Sequence, residues 1–253
     1  MLPVERHDSI LEAVNDAKVI SSEDLVRTLG VSAETVRRDL MLLEARGVLR
    51  RVHGGAASVE LRDEEPSFAE RAAIAHDAKL TVARIAVTQL EDGQTVVIEG
   101  GTTAVEVARA IPRTFRGTVV TSSLRVAMEV VDHSAVEVLV SGGRLRRGDL
   151  TFSNAHAKNM FGELYADVAF VCAGGVDVDV GVTDYHLDEI EVRRTIIANT
   201  ARRLILADSS KMGHVAPHRV CDLAALSGLI TETAPPPAVA AAFEKAGGTV
   251  LSA

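Results

Sequence analysis

The stretch that decides the fold of the first part of the chain is Val31-Ser-Ala-Glu-Thr-Val-Arg-Arg-Asp-Leu40. Val36 and Leu40 recur at helical spacing, and Ser32 is a suitable N-cap ahead of an acidic first turn. The stretch therefore predicts a helix that begins after Ser32 and ends at Gly47. One face of this helix is apolar, and the other faces carry hydroxyl and arginine side chains.

Two shorter helices are predicted ahead of this one, each with an apolar face. Their apolar residues are Ile10, Leu11 and Val14 in the first helix and Leu25, Val26 and Leu29 in the second. Ser22 caps the second helix and Gly30 ends it. A tight turn at Gly30 thus joins two helices, as in a helix-turn-helix.

A basic hairpin follows the third helix. The sequence Leu49-Arg-Arg-Val-His-Gly-Gly-Ala56 alternates apolar and basic residues and then breaks at two glycines. Three helices and this hairpin predict a winged helix-turn-helix over residues 1–57. Residues 58–75 are predicted to be a linker, because 60–67 is charged, contains a proline and lacks an apolar stripe.

The charge distribution favours a nucleic-acid partner in the first part of the chain only. The 253 residues include 27 basic and 35 acidic side chains, and the net charge of −8 taken alone argues against such a partner. Residues 35–53, however, have a net charge of +3, and all of their basic side chains are arginines. DNA contact is therefore expected to depend on a few arginines and to be sensitive to salt.

The predicted DNA contacts lie on the third helix and the hairpin. The candidates are Ser32, Thr35, Arg37, Arg38, Arg50, Arg51 and His53. Arginine can bind guanine through two hydrogen bonds, and threonine can contact a phosphate or a thymine methyl group. Alternatively, Arg37 and Arg38 pair with Glu34 or Glu44 on a solvated helix face. We favour double-stranded DNA, because helix, turn, helix and basic wing agree with one another.

From about residue 76 the pattern changes to alternating strands and helices. Apolar, β-branched runs predict strands at 95–98, 118–121, 136–140, 168–172, 203–207 and 228–230. Helical stretches lie at 79–90, 103–111, 123–131, 189–200 and 237–246. The alternation predicts a mostly parallel α/β domain over residues 76–253, with ligands at the carboxyl ends of its strands.

Three consecutive strand ends carry glycines and hydroxyl side chains. These residues are Gly101, Thr102 and Thr103, then Thr121, Ser122 and Ser123, and then Gly143 with Arg144, Arg146 and Arg147 behind it. Glycine lets the backbone approach a ligand, and a helix N-terminus favours an anion. Each loop alone is typical of a common turn or N-cap. Together the three loops predict a site for a phosphorylated small molecule.

Charged residues later in the chain are candidates to complete this site. Asp177, Asp179 and Glu189 suit sugar hydroxyls, and Lys211 suits a phosphate or one of the acids. The alternative is that Asp177 and Asp179 are turn residues and that Arg193 is a surface charge. The residues alone leave both interpretations open.

Composition excludes several classes of protein. Aromatic residues make up 3% of the chain and Trp is absent, which argues against a stacking surface for carbohydrate or single strands. Cys172 and Cys221 form neither a disulfide framework nor a C-x-x-C pair, so we expect no metal and no cofactor. The charged N-terminus and the lack of an apolar run of about 18 residues predict a soluble cytoplasmic protein without a membrane partner.

These motifs together resemble the DeoR family of bacterial transcriptional regulators over nearly the whole chain. Besides the two stretches quoted above, they include Gly101-Thr-Thr103, Thr121-Ser-Ser123, Gly175-Val-Asp177 and Asp208-Ser-Ser-Lys211. Asn154 stands where the family commonly has glycine, and asparagine also tolerates a left-handed backbone.

The resemblance implies a repressor of a carbohydrate operon whose second domain is similar to ribose-5-phosphate isomerase and binds a phosphorylated sugar. It implies that the first two loops hold the phosphate and that Asp177, Glu189 and Lys211 face the sugar. Such regulators are usually oligomers, here expected to be a dimer or a tetramer, on repeated operator sites. An activator would dock in the same way.

The competing hypothesis is a sugar-phosphate isomerase with an added DNA-binding domain. Asp177, Asp179 or Glu189 would then be the general base. A winged helix has no task in a metabolic isomerase, and phosphate loops serve a sensor equally well. We therefore expect a regulator rather than an enzyme.

Overall fold

A computed structural model of the protein describes residues 3–17, 19–45, 48–52, 54–58 and 65–253. The chain divides into two compact units, Met1–Glu65 and Pro66–Ala253. Part of the stretch predicted to be a linker therefore belongs to the second unit, where residues 68–73 form a helix.

The first unit contains three helices and a three-stranded antiparallel sheet. Its elements are α1 (Pro3–Ala17), β1 (Val19–Ser21), α2 (Ser22–Leu29), α3 (Ala33–Ala45), β2 (Leu49–Val52) and β3 (Gly55–Ser58). Strands β2 and β3 are the predicted hairpin, and β1 pairs with the free side of β3. The winged helix-turn-helix is confirmed. Strand β1 escaped prediction because three residues cannot show an alternating pattern.

The apolar faces of the three helices meet in one core. Ile10, Val14, Leu25, Val36 and Leu40 are all at most 2% exposed. These residues follow the helical spacing found in the sequence, so their burial explains why the short helices form.

One polar contact fixes α1 against α3. Asp39, only 4% exposed, accepts a hydrogen bond from Arg6 Nε at 2.5 Å, and its other oxygen lies 3.0 Å from His7 Nε2. Burial by itself would raise the pKa of Asp39, but the hydrogen bonds from Arg6 and His7 hold it below its ordinary value. The position of α3 thus depends on a nearly buried ion pair.

The second unit is built on a seven-stranded parallel sheet. Its strands are β4 (Thr95–Ile98), β5 (Gly117–Thr121), β6 (Val136–Val140), β7 (Arg144–Arg146), β8 (Thr151–Ser153), β9 (Ala166–Cys172), β10 (Gly175–Asp177), β11 (Gly181–Asp184), β12 (Thr200–Leu206), β13 (His218–Cys221), β14 (Gly228–Ile230) and β15 (Thr249–Leu251). The parallel sheet has the order β15-β14-β12-β9-β4-β5-β6. The six predicted strands are confirmed. The seventh strand of the sheet, β15, was not predicted. The remaining five strands form a β7–β8 hairpin and a β10-β11-β13 antiparallel sheet.

Helices cover both faces of the parallel sheet. They are α4 (Phe68–Ala73), α5 (His76–Val87), α6 (Thr102–Ala110), α7 (Leu124–Val130), α8 (Ala155–Gly162), α9 (Leu187–Ala198) and α10 (Pro237–Lys245). Neighbouring strand residues such as Phe170 and Val171 point into different cores, one beneath α5–α7 and the other beneath α8–α10. Burial on both faces explains why these strands are continuously apolar. Among the described residues, no helix combines the length and apolarity required to cross a membrane.

The strand order reverses between β4 and β9. From β4 the chain adds β5 and β6 on one side, and β9, β12, β14 and β15 lie on the other. In such sheets ligands bind at the carboxyl ends of the strands that flank the reversal. This edge carries the loops after β4 and β9, including Gly101 and Cys172.

Candidate functional site

The first two turns of α3 present the side chains predicted to contact DNA. Ser32 caps the helix, since its Oγ accepts a hydrogen bond from the Thr35 backbone N–H at 3.2 Å. Arg37 and Arg38 follow and are exposed. The structure therefore brings these four residues together at the N-terminal end of α3, and their contact with the major groove stays a prediction.

Arg37 and Arg38 both pair with Glu34. Arg37 Nη2 and Arg38 Nε lie 2.8 and 3.1 Å from Glu34 Oε1, and the hydrogen bond from Arg37 lowers the pKa of Glu34 to about 2. The ion-pair alternative is therefore correct for Glu34, whereas Glu44 accepts the backbone N–H of Arg51 at 2.9 Å. Exposed ion pairs are weak and screened by salt, so a DNA phosphate can compete with Glu34.

The described residues cover the wing only in part. Arg51 is exposed on β2, and the backbone of Arg50 pairs with Ala57 in the hairpin. The side chain of Arg50 and all of His53 lie outside the described residues. The hairpin is in place, and DNA contact by its basic side chains stays a prediction.

The three loops predicted to hold a phosphate follow β4, β5 and β6, which are neighbours in the sheet. A Cβ built on Gly100 would lie 3.6 Å from Ser123 Cβ and 2.8 Å from Thr151 Oγ1. The first two loops therefore contact each other, and both adjoin β8.

Gly101 allows β4 to turn directly into α6. Its φ of 126° is rarely adopted by residues with a side chain, and a Cβ there would lie 3.0 Å from Cys172 Sγ. The turn places the first amide N–H groups of α6 at the carboxyl edge of the sheet. A helix N-terminus in this position favours an anion.

Two hydroxyl groups at this turn have no partner. Thr102 and Thr103 are each 7% exposed, and their hydroxyls form no hydrogen bond with any residue of 65–253. Thr121 and Ser123, by contrast, close their own loop, since Thr121 Oγ1 accepts the Ser123 N–H at 3.0 Å. Neither hydroxyl oxygen is among the fully buried polar atoms without a partner, so both are accessible from outside. The two hydroxyls are therefore available to a ligand at the start of α6.

The third loop connects to the second through β8. Gly143 has a φ of 110°, and a Cβ on it would lie 2.6 Å from the Ser153 carbonyl oxygen. Phe152 N–H donates to the Ser122 carbonyl at 2.7 Å. Asn154, directly after β8, has a φ of 87°, as expected for a residue in place of glycine.

Glu189 lies beside a cleft of about 390 Å³. Its Oε1 accepts a hydrogen bond from Arg146 Nε at 2.5 Å. The cleft is lined by Arg144, Arg146, Ser153, Tyr185, His186, Leu187, Asp188, Glu189 and His218. Sequence reasoning noted the two arginines but missed Tyr185, His186 and His218, because they lie at the end of one strand and the start of another far along the chain. The polar pair Tyr185-His186 just before α9 was the available signal.

Asp177 closes the turn between β10 and β11. Its Oδ1 accepts the backbone N–H groups of Asp179 and Val180, both at 2.9 Å. The turn alternative therefore describes this residue, and a contact between Asp177 and a sugar stays a prediction.

A buried ion cluster of Glu99, Arg193 and Asp184 adjoins the first loop. Arg193 Nε donates to Glu99 Oε1 at 2.6 Å, and Arg193 Nη1 donates to Asp184 Oδ2. Glu99 Oε2 also accepts the Cys172 N–H at 3.1 Å, which ties β4 to β9. Arg193 is 4% exposed, so its interpretation as a surface charge was wrong. A lone arginine in a helical stretch is rarely buried, and its partners are distant in sequence.

Lys211 is near this cluster. It ends a 3₁₀ turn, Ser209–Lys211, after β12, and its ammonium group forms no ion pair within the described part of the chain. Burial would raise the pKa of Asp184, but Arg193 and, more weakly, Lys211 hold it below its ordinary value. A cation without a direct ion pair, close enough to Asp184 to affect its pKa, suits a phosphate.

The cysteines of the site are inert. Burial raises the pKa of Cys172 to about 12 and that of Cys221 to about 11, so neither thiol is a nucleophile near neutral pH. Among the residues that the structure describes, no three His, Cys, Asp or Glu side chains could hold a metal ion. The arrangement is suited to binding an oxyanion through hydroxyls, amides and a lysine.

Stability is expected to depend on pH through Glu99. Burial, partly offset by Arg193, raises its pKa from 4.5 to about 7. The stabilisation from the protonated carboxyl is therefore complete below about pH 4.5 and is lost as the pH rises through 7. Between pH 6 and 8 the free energy of unfolding should fall further for wild type than for Glu99→Gln, by on the order of 1 kcal/mol. Urea unfolding at both pH values tests this, and parallel pH profiles would contradict it.

Comparisons with known proteins cover both units. The family model of the DeoR-like helix-turn-helix domain matches residues 6–62, and that of the DeoR C terminal sensor domain matches residues 74–233. The HTH-type transcriptional regulator GlpR of Haloferax volcanii is 34% identical over 253 residues, which cover 99% of this chain and 98% of that protein. The glycerol-3-phosphate regulon repressor of Escherichia coli is 28% identical over 239 residues, 94% of each chain.

Among solved structures, ribose 5-phosphate isomerase A from Methanocaldococcus jannaschii is similar to 55% of this chain over 55% of its own length, with 18% identity and a TM-score of 0.41. So distant a likeness assigns neither fold nor activity. The two family models and the full-length relatives decide the identity. The chain belongs to the DeoR family of DNA-binding transcriptional regulators.

Proposed function

We propose that this regulator represses a carbohydrate operon and leaves its operator when a phosphorylated sugar binds the second unit. The observation that carries the proposal is the pair of hydroxyls on Thr102 and Thr103, which lie at a helix N-terminus and form no hydrogen bond with the described residues. The name of the Escherichia coli relative supports repression. The protein would act in the cytoplasm as a dimer or tetramer, because winged-helix regulators commonly bind paired half-sites.

The phosphate is assigned to the loops after β4 and β5. The amide groups at the start of α6, the hydroxyls of Thr102 and Thr103 and the polar backbone around Ser122 provide donors. Lys211 supplies a positive charge that forms no direct ion pair with a described carboxylate. Such a set of donors, with an adjacent helix N-terminus, complements a doubly charged phosphate.

The sugar is assigned to the cleft beside Glu189. Glu189 and Asp188 accept hydrogen bonds, and Arg144 and Arg146 donate them. Alternating donors and acceptors suit a polyhydroxylated molecule. Asp177 and Gly143 are proposed to complete this part of the site.

Release from DNA needs only a modest free energy. The sugar phosphate is expected to bind the DNA-competent form of the protein more weakly than the other form. By linkage, this difference in ligand-binding free energy equals the free energy of operator binding that is lost when the ligand is bound. A tenfold loss corresponds to a coupling of about 1.4 kcal/mol. A few hydrogen bonds that form in one state only are sufficient.

Loss of the phosphate donors should weaken the response to ligand and spare DNA binding. A thermal-shift screen of phosphorylated sugars identifies the effector, because a ligand at 100 times its dissociation constant stabilises the folded state by about 2.7 kcal/mol. With that effector, Thr102→Ala and Lys211→Ala should each weaken ligand binding about tenfold. Operator affinity without ligand should match wild type in anisotropy titrations. Thr88→Ala, an exposed threonine of the same unit, is the matched control. A repressor–operator affinity that no sugar phosphate alters would refute the sensor.

Loss of the α3 arginines should weaken DNA binding in a different way from loss of a wing arginine. Arg37→Ala and Arg38→Ala should each cost about 1–3 kcal/mol of operator affinity if they read bases. Arg51→Ala should reduce the salt slope of binding by about one if Arg51 contacts a phosphate. Anisotropy titrations at several salt concentrations, with duplex selected from a random library, measure both effects.

The control for these DNA-binding variants is Arg84→Ala, which removes an exposed arginine of the second unit. Unchanged binding in all three DNA-binding variants would show that another surface enters the groove. The isomerase alternative is not favoured, since the full-length relatives are named as regulators.

A further inference from the structure

Helix α4 is the first helix after the DNA-binding unit, and it packs on the surface of the second unit. None of its residues is fully buried. Phe68 lies beneath the guanidinium of Arg125, whose Cζ is 3.9 Å from the ring centroid. Arg71 Nη2 donates to Asp149 Oδ2 at 2.5 Å. Arg125 and Asp149 are the partners of α4 that adjoin the phosphate loops. Helix α4 is also held by the packing of Phe68 on the core beneath α5–α7 and by Lys79 Nζ, which donates to the Arg71 and Ile74 carbonyls.

Arg125 is directly connected to the second phosphate loop. It lies in the first turn of α7, two residues after Ser123, which caps that helix. Its guanidinium also reaches the Gly148 carbonyl at 3.4 Å. A shift of the loop at Ser123 therefore moves the group that covers Phe68.

Asp149 begins a segment, residues 149–153, that runs along both phosphate loops; we name it the connector. The Leu150 carbonyl accepts the Leu124 N–H at 3.0 Å, and Phe152 N–H donates to Ser122. Thr151 fills the space beside Gly100. The connector thus touches the first loop, the second loop and, through Asp149, helix α4.

The connector contains a strained residue. Leu150 has a φ of 56°, which leucine seldom adopts. Its carbonyl and amide are both held, by Leu124 N–H and by the Arg146 carbonyl. A strained backbone that depends on neighbouring hydrogen bonds can change its conformation when those neighbours move.

The connector is also linked to the cleft beside Glu189 through Arg146. Arg146 lies 3.0 Å from Asp149 and 2.5 Å from Glu189. A row of alternating charges, Glu189, Arg146, Asp149 and Arg71, therefore runs from the proposed sugar site to α4.

We propose that α4 responds to the occupancy of the phosphate loops, and that Asp149 and Arg125 are the positioning residues that couple the two. This inference rests on the proposed function. A phosphate held by the first two loops stabilises their hydrogen bonds to the connector, which in turn tightens the contact between Asp149 and Arg71. In the sequence α4 lies between the DNA-binding unit and the rest of the second unit, so a change at α4 is a change next to the connection between the two units.

Hydrogen exchange on the full-length protein tests the coupling, with inorganic phosphate as the probe and chloride of equal ionic strength as the reference. In wild type, phosphate should slow exchange several-fold in the two loops and also in residues 68–73. In Asp149→Asn the loops should still respond, and α4 should not. Asp132→Asn, the same change at an exposed site, should behave like wild type.

The outcomes separate the inference from the proposed function. Loops that ignore phosphate refute the phosphate site and the coupling with it. Loops that respond while α4 of wild type does not refute the coupling alone, and an α4 response that persists in Asp149→Asn refutes the role of Asp149. If Asp149→Asn does not fold, Arg71→Gln removes the same contact from a helix without buried residues. Its far-UV spectrum confirms that the fold is retained.

Discussion

Replacement of Arg193 by methionine should lower the free energy of unfolding of the second unit by about 3–5 kcal/mol. The guanidinium is 4% exposed and separates the carboxylates of Glu99 and Asp184. Without it, two acids remain buried beside each other with no counter-charge. Methionine fills part of the volume but supplies no hydrogen-bond donor. Urea unfolding of the purified protein measures the loss.

Two comparisons show whether charge is the cause. Arg113→Met, at an exposed arginine, should change the free energy of unfolding by no more than about 0.5 kcal/mol. Adding Glu99→Gln to Arg193→Met should restore part of the stability, because the uncharged amide needs no counter-ion. The loss should also be smaller at pH 6 than at pH 8, because removal of Arg193 raises the pKa of Glu99 further and makes the stability of the variant fall more steeply with pH than that of wild type. If Arg193→Met alone is as stable as wild type, the ion cluster does not contribute to stability.

Replacement of Asp39 by alanine should destabilise the DNA-binding unit by about 3 kcal/mol and reduce operator affinity with it. Asp39 is the partner of both Arg6 and His7, so its loss leaves two donors without an acceptor near the core. A domain of this size has only a small margin of stability. Hydrogen exchange of α1 and α3 in the full-length protein measures the loss, and operator titration measures its effect on binding.

The matched control for Asp39 is Asp16→Ala, an exposed aspartate on α1. The pKa of Asp39 in the folded protein lies below its ordinary value. Its contribution to the free energy of unfolding is therefore fully present above the pKa of an unfolded aspartate, and it is lost as the pH falls through the lower pKa of the folded state. The difference in the free energy of unfolding between wild type and Asp39→Ala should therefore become smaller at acidic pH. Unchanged exchange in α1 and α3 would contradict the prediction.

The elements that could be predicted are those in which the period of the sequence matches the period of the structure. Ile10 and Val14 or Val36 and Leu40 recur at helical spacing because each pair faces one core. The parallel strands were found for a related reason, since burial on both faces requires a continuous apolar run. The positions of the phosphate loops then followed from the rule that parallel strands end at one edge.

The parts that escaped prediction depend on contacts between distant residues. Strands of three residues, such as Arg144–Arg146 and Thr151–Ser153, are too short to show a period. The cluster of Glu99 and Arg193 joins residues 94 positions apart, so nothing local distinguishes Arg193 from an exposed arginine. Helix α4 lies in a stretch whose charge and proline are typical of a linker. Its contacts with distant residues, among them Arg125, Asp149 and Lys79, place it in the second unit.

The reversal of strand order at β4 and β9 has a consequence for synthesis of the protein on the ribosome. The proposed phosphate site combines loops after β4 and β5 with Lys211, which follows β12 on the far side of β9. No phosphate site of this kind exists until more than 200 residues have been made, whereas the winged helix is complete by Ser58. Domains tend to fold from the N-terminus as they emerge from the ribosome. The DNA-binding unit can therefore fold before the proposed site that controls release from DNA is complete.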